Sequence, residues 1–542
     1  MIDVLIVGAG PVGLALAIDL GLRGVNVRIV EQRIREGAQP RAKTTNVRTM
    51  QHMRRWGIAD LLREASPLPH DYPTDIVFAT TLLGTPIAVI ENAFEGAKRR
   101  DMRFPEAAQW VPQYTVEQVL QRRLEQLPSV QFASGLMLEG ATQSDTAIIA
   151  QLRETAGGPL HETRARYLVG ADGARSRVRA IIGATMKGER AMMRHYNLVL
   201  RIPELKDHAR QRQAIMYWLI NPTAPSVMSP LGGDIWTFGL TLPAGVETIE
   251  DNDVVGRVCA AIGRTVQVDI IQRDLWAAHR LVADRYSDRR VFLAGDACHL
   301  HPPFGGYGMN LGIGDAVDLS WKLAATLQGW GGAGLLDSYE QERRPIHLRT
   351  IAEAVENYRT LSDHLVRDGL DDETSRGARA RAELSEQIVT TKSREFKTLG
   401  VVLGSRYDNS PAILNDGTSP PPDHHAIYQP SAHPGCLAPH AWLEDGSSLY
   451  DHFGLGFTLL VFNGRAHEAA QQIELEAAAR GVPLKRLDFR DPALELLYAA
   501  PLAMIRPDQF VAWRGSSADA ALLIQGVCGH KLQTKDVEGV TA

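Results

Sequence analysis

Three glycines, Gly8, Gly10 and Gly13, stand at G-x-G-x-x-G spacing in the run IDVLIVGAGPVGLALAIDLGLRGVNVRIVE, with Pro11 between them. Gly8 permits a tight turn, Gly10 lets a pyrophosphate reach the backbone, and Gly13 lets a helix pack on a strand. Glu31 follows roughly 20 residues on, where an acid can take both hydroxyls of an adenosine ribose. A second set lies in RVFLAGDACHLHPPFGGYGMNLGIGDAVDLSWKLAATL, from Arg290 to Leu327: Asp296, then Gly305, Gly306 and Gly308. Asp296 at a strand end can accept hydrogen bonds from ribityl or ribose hydroxyls. The glycines ahead of a helix allow a flat or phosphorylated ligand to lie against bare backbone, and the N–H groups at the helix start favour negative charge. A reduced flavin carries its negative charge on the pyrimidine edge, so this second set suits a flavin.

These residues need particular elements to hold them. Val4 to Val7 reads as a buried strand running into the glycines. A helix with an apolar face follows to Leu22, and a second strand runs from Val25 to Val30. Strand, glycine loop, helix, strand and acid together make the complete dinucleotide-binding unit, which by itself does not separate FAD from NAD. Val291 to Ala294 is a short apolar run suited to a buried strand, and Leu311 to Leu327 has helical spacing.

Composition narrows the class. A chain of 542 residues exceeds one core and implies two or three domains. A net charge of −5 argues against nucleic acid as main partner. The four cysteines, Cys259, Cys298, Cys436 and Cys528, lie far apart without CxxC or zinc spacing, which suits a reducing cytoplasm. Cys298, His299 and His301 fall short of a metal site, because two histidines two apart on a loop do not complete one. The amino terminus enters a strand-like run directly and no apolar run is long enough for a membrane, so a cytoplasmic location is expected.

Between the two glycine sets lie further candidates. Arg33, Arg35, Arg41, Lys43, Arg48, Arg54 and Arg55 form a basic cluster. Arg54 and Arg55 read as a solvated helix face; Arg41 and Arg48 could neutralise phosphates. Gln113 opens a helix and could bond a ligand. Tyr167 to Ala171 reads as a strand ending at the turn Asp172-Gly173, a second strand–turn–helix of one interrupted nucleotide domain. From 186 to 280, alternating segments read as an antiparallel sheet, in which Tyr217, Trp218 and Trp236 could line an aromatic pocket. Gly334 to about Leu370 is helical, and Pro345 should kink or divide it. From about Leu437, strand–helix–strand followed by hairpin and helix suggests a small α/β domain of thioredoxin-like order. It has no CxxC and reads as structural or dimer-forming.

Three motifs in order, GAGPVG at Gly8, YLVGADGARSRVR at Tyr167 and RVFLAGDACHLHPPFGGYGMNLGIGDAVDLSWKLA at Arg290, resemble the single-component flavin monooxygenases of the p-hydroxybenzoate hydroxylase type. The similarity is closer to the phenol-hydroxylase-like branch with a carboxy-terminal thioredoxin-like domain, and it includes MIRPDQFVAWRG near the end. The fold implied is α/β. A Rossmann-type FAD-binding domain (1–75, 111–185 and 281–400) is interrupted by an antiparallel substrate-binding sheet (76–110 and 186–280). A linker and thioredoxin-like domain lacking CxxC (401–542) follow.

By that resemblance Gly8, Gly10, Gly13 and Glu31 hold the ADP half of FAD, and Arg41 and Gln113 contact the flavin. Asp172 serves FAD and NAD(P)H, and Asp296 binds the ribityl chain. Pro303, Gly306, Gly308, Met309 and Asn310 surround the isoalloxazine. Where hydroxybiphenyl-type members have His after Pro-Arg-Ala, this chain has Lys43, a candidate for activating a phenol if its pKa is lowered, beside the plainer reading of a solvated or phosphate-facing lysine. The implied reaction hydroxylates a phenolic ring with NADH or NADPH as transient co-substrate and O₂, through a flavin C4a-hydroperoxide. Alternatives are a tailoring oxygenase acting on a larger polycyclic or quinone substrate, and a flavin-binding oxidase or interaction protein. The expected partners are a small aromatic substrate, NAD(P)H and O₂, with no nucleic acid and no membrane, in a homodimer.

Overall fold

The computed structural model describes residues 1–33, 40–205, 212–242, 249–358 and 363–532. Arg35 of the basic cluster, and residues 359–362 of the helical region expected to reach Leu370, lie outside them.

The apolar run Ile2–Val7 forms the centre of a mainly parallel sheet, flanked by Leu160–Gly170 and Val27–Glu31. Val291–Leu293 pairs beyond the first and Val130–Ser134 beyond the second. Near-continuous apolar strands of this kind are covered on both faces. The helix Pro11–Leu22 starts at the glycine loop with proline in its first turn and packs against the helix Gly308–Gln328. The two glycine sets therefore open the same pair of packed helices.

A second sheet orders His299–Leu300, Asp269–Ala283, Met186–Arg201, Ile235–Thr241, Ser226–Gly232, Met216–Leu219, Ile76–Ala79 and Pro86–Ile90. One neighbouring pair departs from the expected antiparallel order: Met216–Leu219 runs parallel to Ile76–Ala79. The earlier strand enters on an excursion from the first domain, so no hairpin ties its direction to that of the later one.

The carboxy-terminal sheet orders Leu484–Asp488, Phe457–Val461, Leu502–Ile505 and Val511–Gly515. The first pair is parallel, across the helix His467–Ala479, and the rest are antiparallel. This is the thioredoxin-like order, and the cysteines of this part, Cys436 and Cys528, are buried and free. Among the described residues no helix is long and apolar enough to cross a membrane.

Two expectations are corrected here. Ser338–Tyr358 is one helix that contains Pro345, so the proline does not divide it. Pro345 and Gln341, whose carbonyl loses its N–H partner, both face solvent, where water can take that bond. The basic face of the helix Val47–Arg55 meets groups of the carboxy-terminal part of the chain. Arg48 bonds Gln509 Oε1 (2.6 Å) and the Asp508 carbonyl (2.6 Å), Arg55 the Pro507 carbonyl (2.6 Å), and Arg54 the Asp451 carboxylate (2.6 Å). Helical spacing showed a charged face, but the surface meeting it comes from about 400 residues later in the chain.

Arg506 completes this docking. It is fully buried and donates to Glu342 (2.7 Å), Asp318 (3.0 Å) and Asp508 (2.7 Å), while Lys322 donates to Asp318 (2.8 Å) and Glu342 (2.5 Å). Asp318 and Lys322 lie on the helix Gly308–Gln328, so the carboxy-terminal domain is clamped onto the helix that begins at the second glycine set.

Candidate active site

The first domain and the second sheet enclose a cavity of about 2200 Å³. Single-ligand pockets hold about 300–1,000 Å³, so this one has room for a dinucleotide and a second molecule. Gly8, Gly10, Pro11 and Glu31 line it at one end. Gly8 has φ +102°, and a Cβ there would stand 2.3 Å from the Ala171 carbonyl oxygen; at Gly13 it would stand 1.9 Å from the Gly8 carbonyl oxygen. Gly13 itself lies behind the loop, where it lets the helix close on it. The Glu31 carboxylate accepts from the Ala9 N–H (2.8 Å) and the Arg33 N–H (3.0 Å), which fixes it beside the loop.

Asp172, Arg41 and Gln113 also line the cavity. Asp172 Oδ2 accepts from the backbone of Arg177 (2.7 Å) and Val178 (3.1 Å), while Oδ1 is buried without a partner, and burial raises its pKa. Gln113 donates to Glu117 (2.8 Å). Asp296 opens onto the cavity. Burial raises its carboxyl pKa against the opposing charges of His299 and Arg41.

Pro303, Gly306, Gly308 and Met309 line the middle of the cavity, at the start of the helix Gly308–Gln328. Asn310 does not reach it. Its carboxamide donates to the carbonyls of Gly306 (2.7 Å) and Thr44 (2.9 Å) and accepts from the Asn46 N–H (3.0 Å), clasping the glycine loop to the segment that carries Lys43. In sequence the residue stands next to ligand-facing neighbours, but one turn into the helix its side chain points back at the loop.

The loop is also held from behind. Asp315 accepts from the Gly295 N–H (3.0 Å), Arg343 (2.8 Å), His347 (2.8 Å) and His299 (3.1 Å), all buried. Cys298, His299, Asp315 and His347 thus approach one another as metal ligands would, with the Arg343 cation supplying the positive charge to Asp315.

Lys43 faces the cavity from the Arg41–Thr44 segment. Its Nζ donates to Thr237 Oγ1 (3.1 Å) and stands 5.4 Å from the centre of the Trp110 ring. Burial pulls its pKa down to about 8. Of the three aromatic candidates only Trp218 lines the cavity, 4.1 Å from the Lys392 ammonium. Tyr217 and Trp236 are corrected: they pack on each other at 6.0 Å on the opposite face of the sheet. Side chains alternate along a strand, so Trp218 and Thr237 face the cavity and their neighbours do not. Sequence reasoning missed Trp110, Thr237, Asn197, Asp274 and Glu395 in the lining. Alternation could have grouped the strand residues by face, but not said which face meets the cofactor.

A family model described as FAD binding domain matches residues 1–354, and one described as aromatic-ring hydroxylase, C-terminal, matches 431–528. The chain belongs to the FAD-dependent aromatic-ring hydroxylases. A FAD-dependent monooxygenase of Emericella nidulans is 31% identical, over 95% of this chain and 87% of that protein. The phenol 2-monooxygenase of a Pseudomonas species is 30% identical, over 95% of this chain and 90% of that protein. Among solved structures, the rebeccamycin biosynthetic enzyme RebC with reduced flavin matches with a TM-score of 0.89 and 33% identity, over 98% of this chain and 99% of that one. This aromatic-ring hydroxylase is an NAD(P)H-dependent flavoprotein monooxygenase with FAD as cofactor. Its residues fit that cofactor: the loop at Gly8 excludes any Cβ, Asp172 and Asp296 line the cavity, and one oxygen of Asp172 is left without a protein partner.

Proposed function

We propose that the substrate is a phenol whose hydroxyl meets Lys43. The supporting observation is the Lys43 amine, held by Thr237 over Trp110 with its pKa drawn down to about 8. A phenol ordinarily ionises near 10. A neutral lysine amine at the ring hydroxyl accepts its proton, and the resulting ammonium stabilises the phenolate, which raises electron density at the ortho and para carbons. Donation from Lys43 to Thr237 aims the remaining lone pair at the substrate. Trp110, Trp218 and Phe304 supply apolar walls that exclude water from the reacting ring.

In the same reading Gly8, Gly10, Pro11, Gly13 and Glu31 hold the adenosine and pyrophosphate of FAD. Arg41, Gln113, Asp172 and Asp296 bond its middle portion. Pro303, Gly306, Gly308 and Met309 lie along the flavin ring, and the N–H groups at the helix start balance its negative edge. When bound, FAD takes a hydride from NADH or NADPH and activates O₂. Overall, phenol, NAD(P)H, a proton and O₂ give the dihydroxylated ring, NAD(P)⁺ and water. A cytoplasmic location belongs to the same proposal, supported by four unpaired cysteines, and a homodimer is proposed with it.

The test is NADH and NADPH oxidation by the yellow holoenzyme against single-ring and polycyclic phenols and aromatic acids, with peroxide followed in parallel. Stimulation by a phenol, little peroxide and one added oxygen in the product are expected. Unstimulated oxidation ending in peroxide across all phenols would overturn the reading.

A further inference from the structure

The second sheet presents one face to the cavity, and on it lie His195 and Asn197, Thr237 and Gly239, and Asp274 and Trp276. The residues between, such as Tyr196, Leu198 and Phe238, pack into a core on the other face. The register puts Asn197 opposite Gly239 on one side and opposite Asp274 on the other, so these three form a row across the sheet.

Gly239 makes room in that row. A Cβ at Gly239 would stand 2.9 Å from Asn197 Oδ1, so the carboxamide lies where a side chain would otherwise be. A glycine inside a strand often marks such a close approach. Neither Asn197 nor Asp274 has a side-chain hydrogen bond or ion pair among the described residues. The other carboxylate in this part of the lining, Glu395, is neutralised by Lys392. Trp276 borders the row with its ring stacked on His195 at 4.8 Å. An unpaired carboxylate and an amide beside a flat aromatic ring suit a ring that carries hydrogen-bond donors.

Distance then selects the ligand. Thr237, which holds Lys43, is level with Val199 and Gln272; Asp274 lies two strands over and two residues along. With strands ~4.8 Å apart and ~3.4 Å rise per residue, that separation is about 12 Å. No single benzene ring with two hydroxyls reaches from one to the other.

We propose that Asn197 and Asp274 form a second anchor for the substrate, one that takes a hydroxyl or N–H group on a ring remote from the hydroxyl at Lys43. The substrate class is therefore a linked or fused polycyclic phenol with a donor at its far end. This rests on the reading of Lys43 given above.

The experiment compares 4-hydroxybiphenyl, 4,4′-dihydroxybiphenyl and 4′-hydroxybiphenyl-4-carboxylate on the holoenzyme, with Kd read from perturbation of the flavin absorbance. The dihydroxy compound should bind about tenfold more tightly than the monohydroxy one, as a hydrogen bond to a charged acceptor implies. The carboxylate should bind most weakly. Asp274→Ala should abolish the dihydroxy preference, and Asp274→Asn should relieve the penalty on the carboxylate. In both variants FAD content should stay at the wild-type value. Equal affinity for all three compounds, a preference unchanged in Asp274→Ala, or no binding of any biphenyl would overturn the second anchor. Wild-type turnover of phenol by Lys43→Met would instead sink the Lys43 reading and leave the Asp274 comparison standing.

Discussion

Lys43 Nζ stands 3.1 Å from Oγ1 of Thr237, a residue 194 positions away on the second sheet. Lys43→Met should lower the rate of phenol hydroxylation by about 10²–10⁴, the usual worth of a positioned general base. In the wild type the rate should rise with pH through about 8, because the neutral amine is the form that accepts a proton. Rapid-reaction kinetics from pH 6 to 10 would check both, and the limb near 8 should vanish in the variant. The same depressed pKa has a stability consequence. The unfolded chain holds the lysine proton up to about 10.5, so this group's contribution to stability rises between about pH 8 and 10.5.

Thr237→Val keeps the shape of the wall and removes the acceptor. The expected loss is about tenfold in hydroxylation rate, smaller than for Lys43→Met, with FAD content unchanged. A variant as fast as the wild type would show that Lys43 is positioned without the hydroxyl.

Gly13→Val places a branched side chain where even a Cβ would be 1.9 Å from the Gly8 carbonyl oxygen. The loop and helix cannot both keep their places, so the purified variant should be colourless or unfolded. Flavin-to-protein absorbance ratio, alongside circular dichroism, measures this; a yellow, fully loaded variant would refute the close packing.

Arg506→Met removes one of two cations facing Asp318, Glu342 and Asp508 in a dry interface. Leaving carboxylates buried and unpaired typically costs about 3–5 kcal/mol. Urea unfolding should show that loss, with the carboxy-terminal domain loosening from the helix Gly308–Gln328 first. Because that helix opens at the flavin loop, FAD should also dissociate at lower urea.

Much of the geometry around the first glycine loop was legible in the chain. Gly8, Gly13 and Glu31 act through local geometry, a turn and the strand after it, and such geometry is written in short spacings. The basic helix Val47–Arg55 shows the limit. Its charges were plain, but Asp451, Pro507, Asp508 and Gln509 meet them only once the last domain has docked. The expectation that Pro345 kinks or divides its helix allows for division because sequence does not show that Gln341 faces water.

The sequence by itself determined the dinucleotide unit, the strand-rich second sheet and the thioredoxin-like ending, because backbone hydrogen bonding imposes periods of 2 and 3.6 that residues must follow. Tertiary structure alone decided which face of that sheet meets the flavin side, and so separated Trp218 from Tyr217 and Trp236. It alone buried Arg506 and drew down the pKa of Lys43. A pKa and an ion pair depend on what surrounds a group in space, and those surroundings come from parts of the chain that spacing cannot connect.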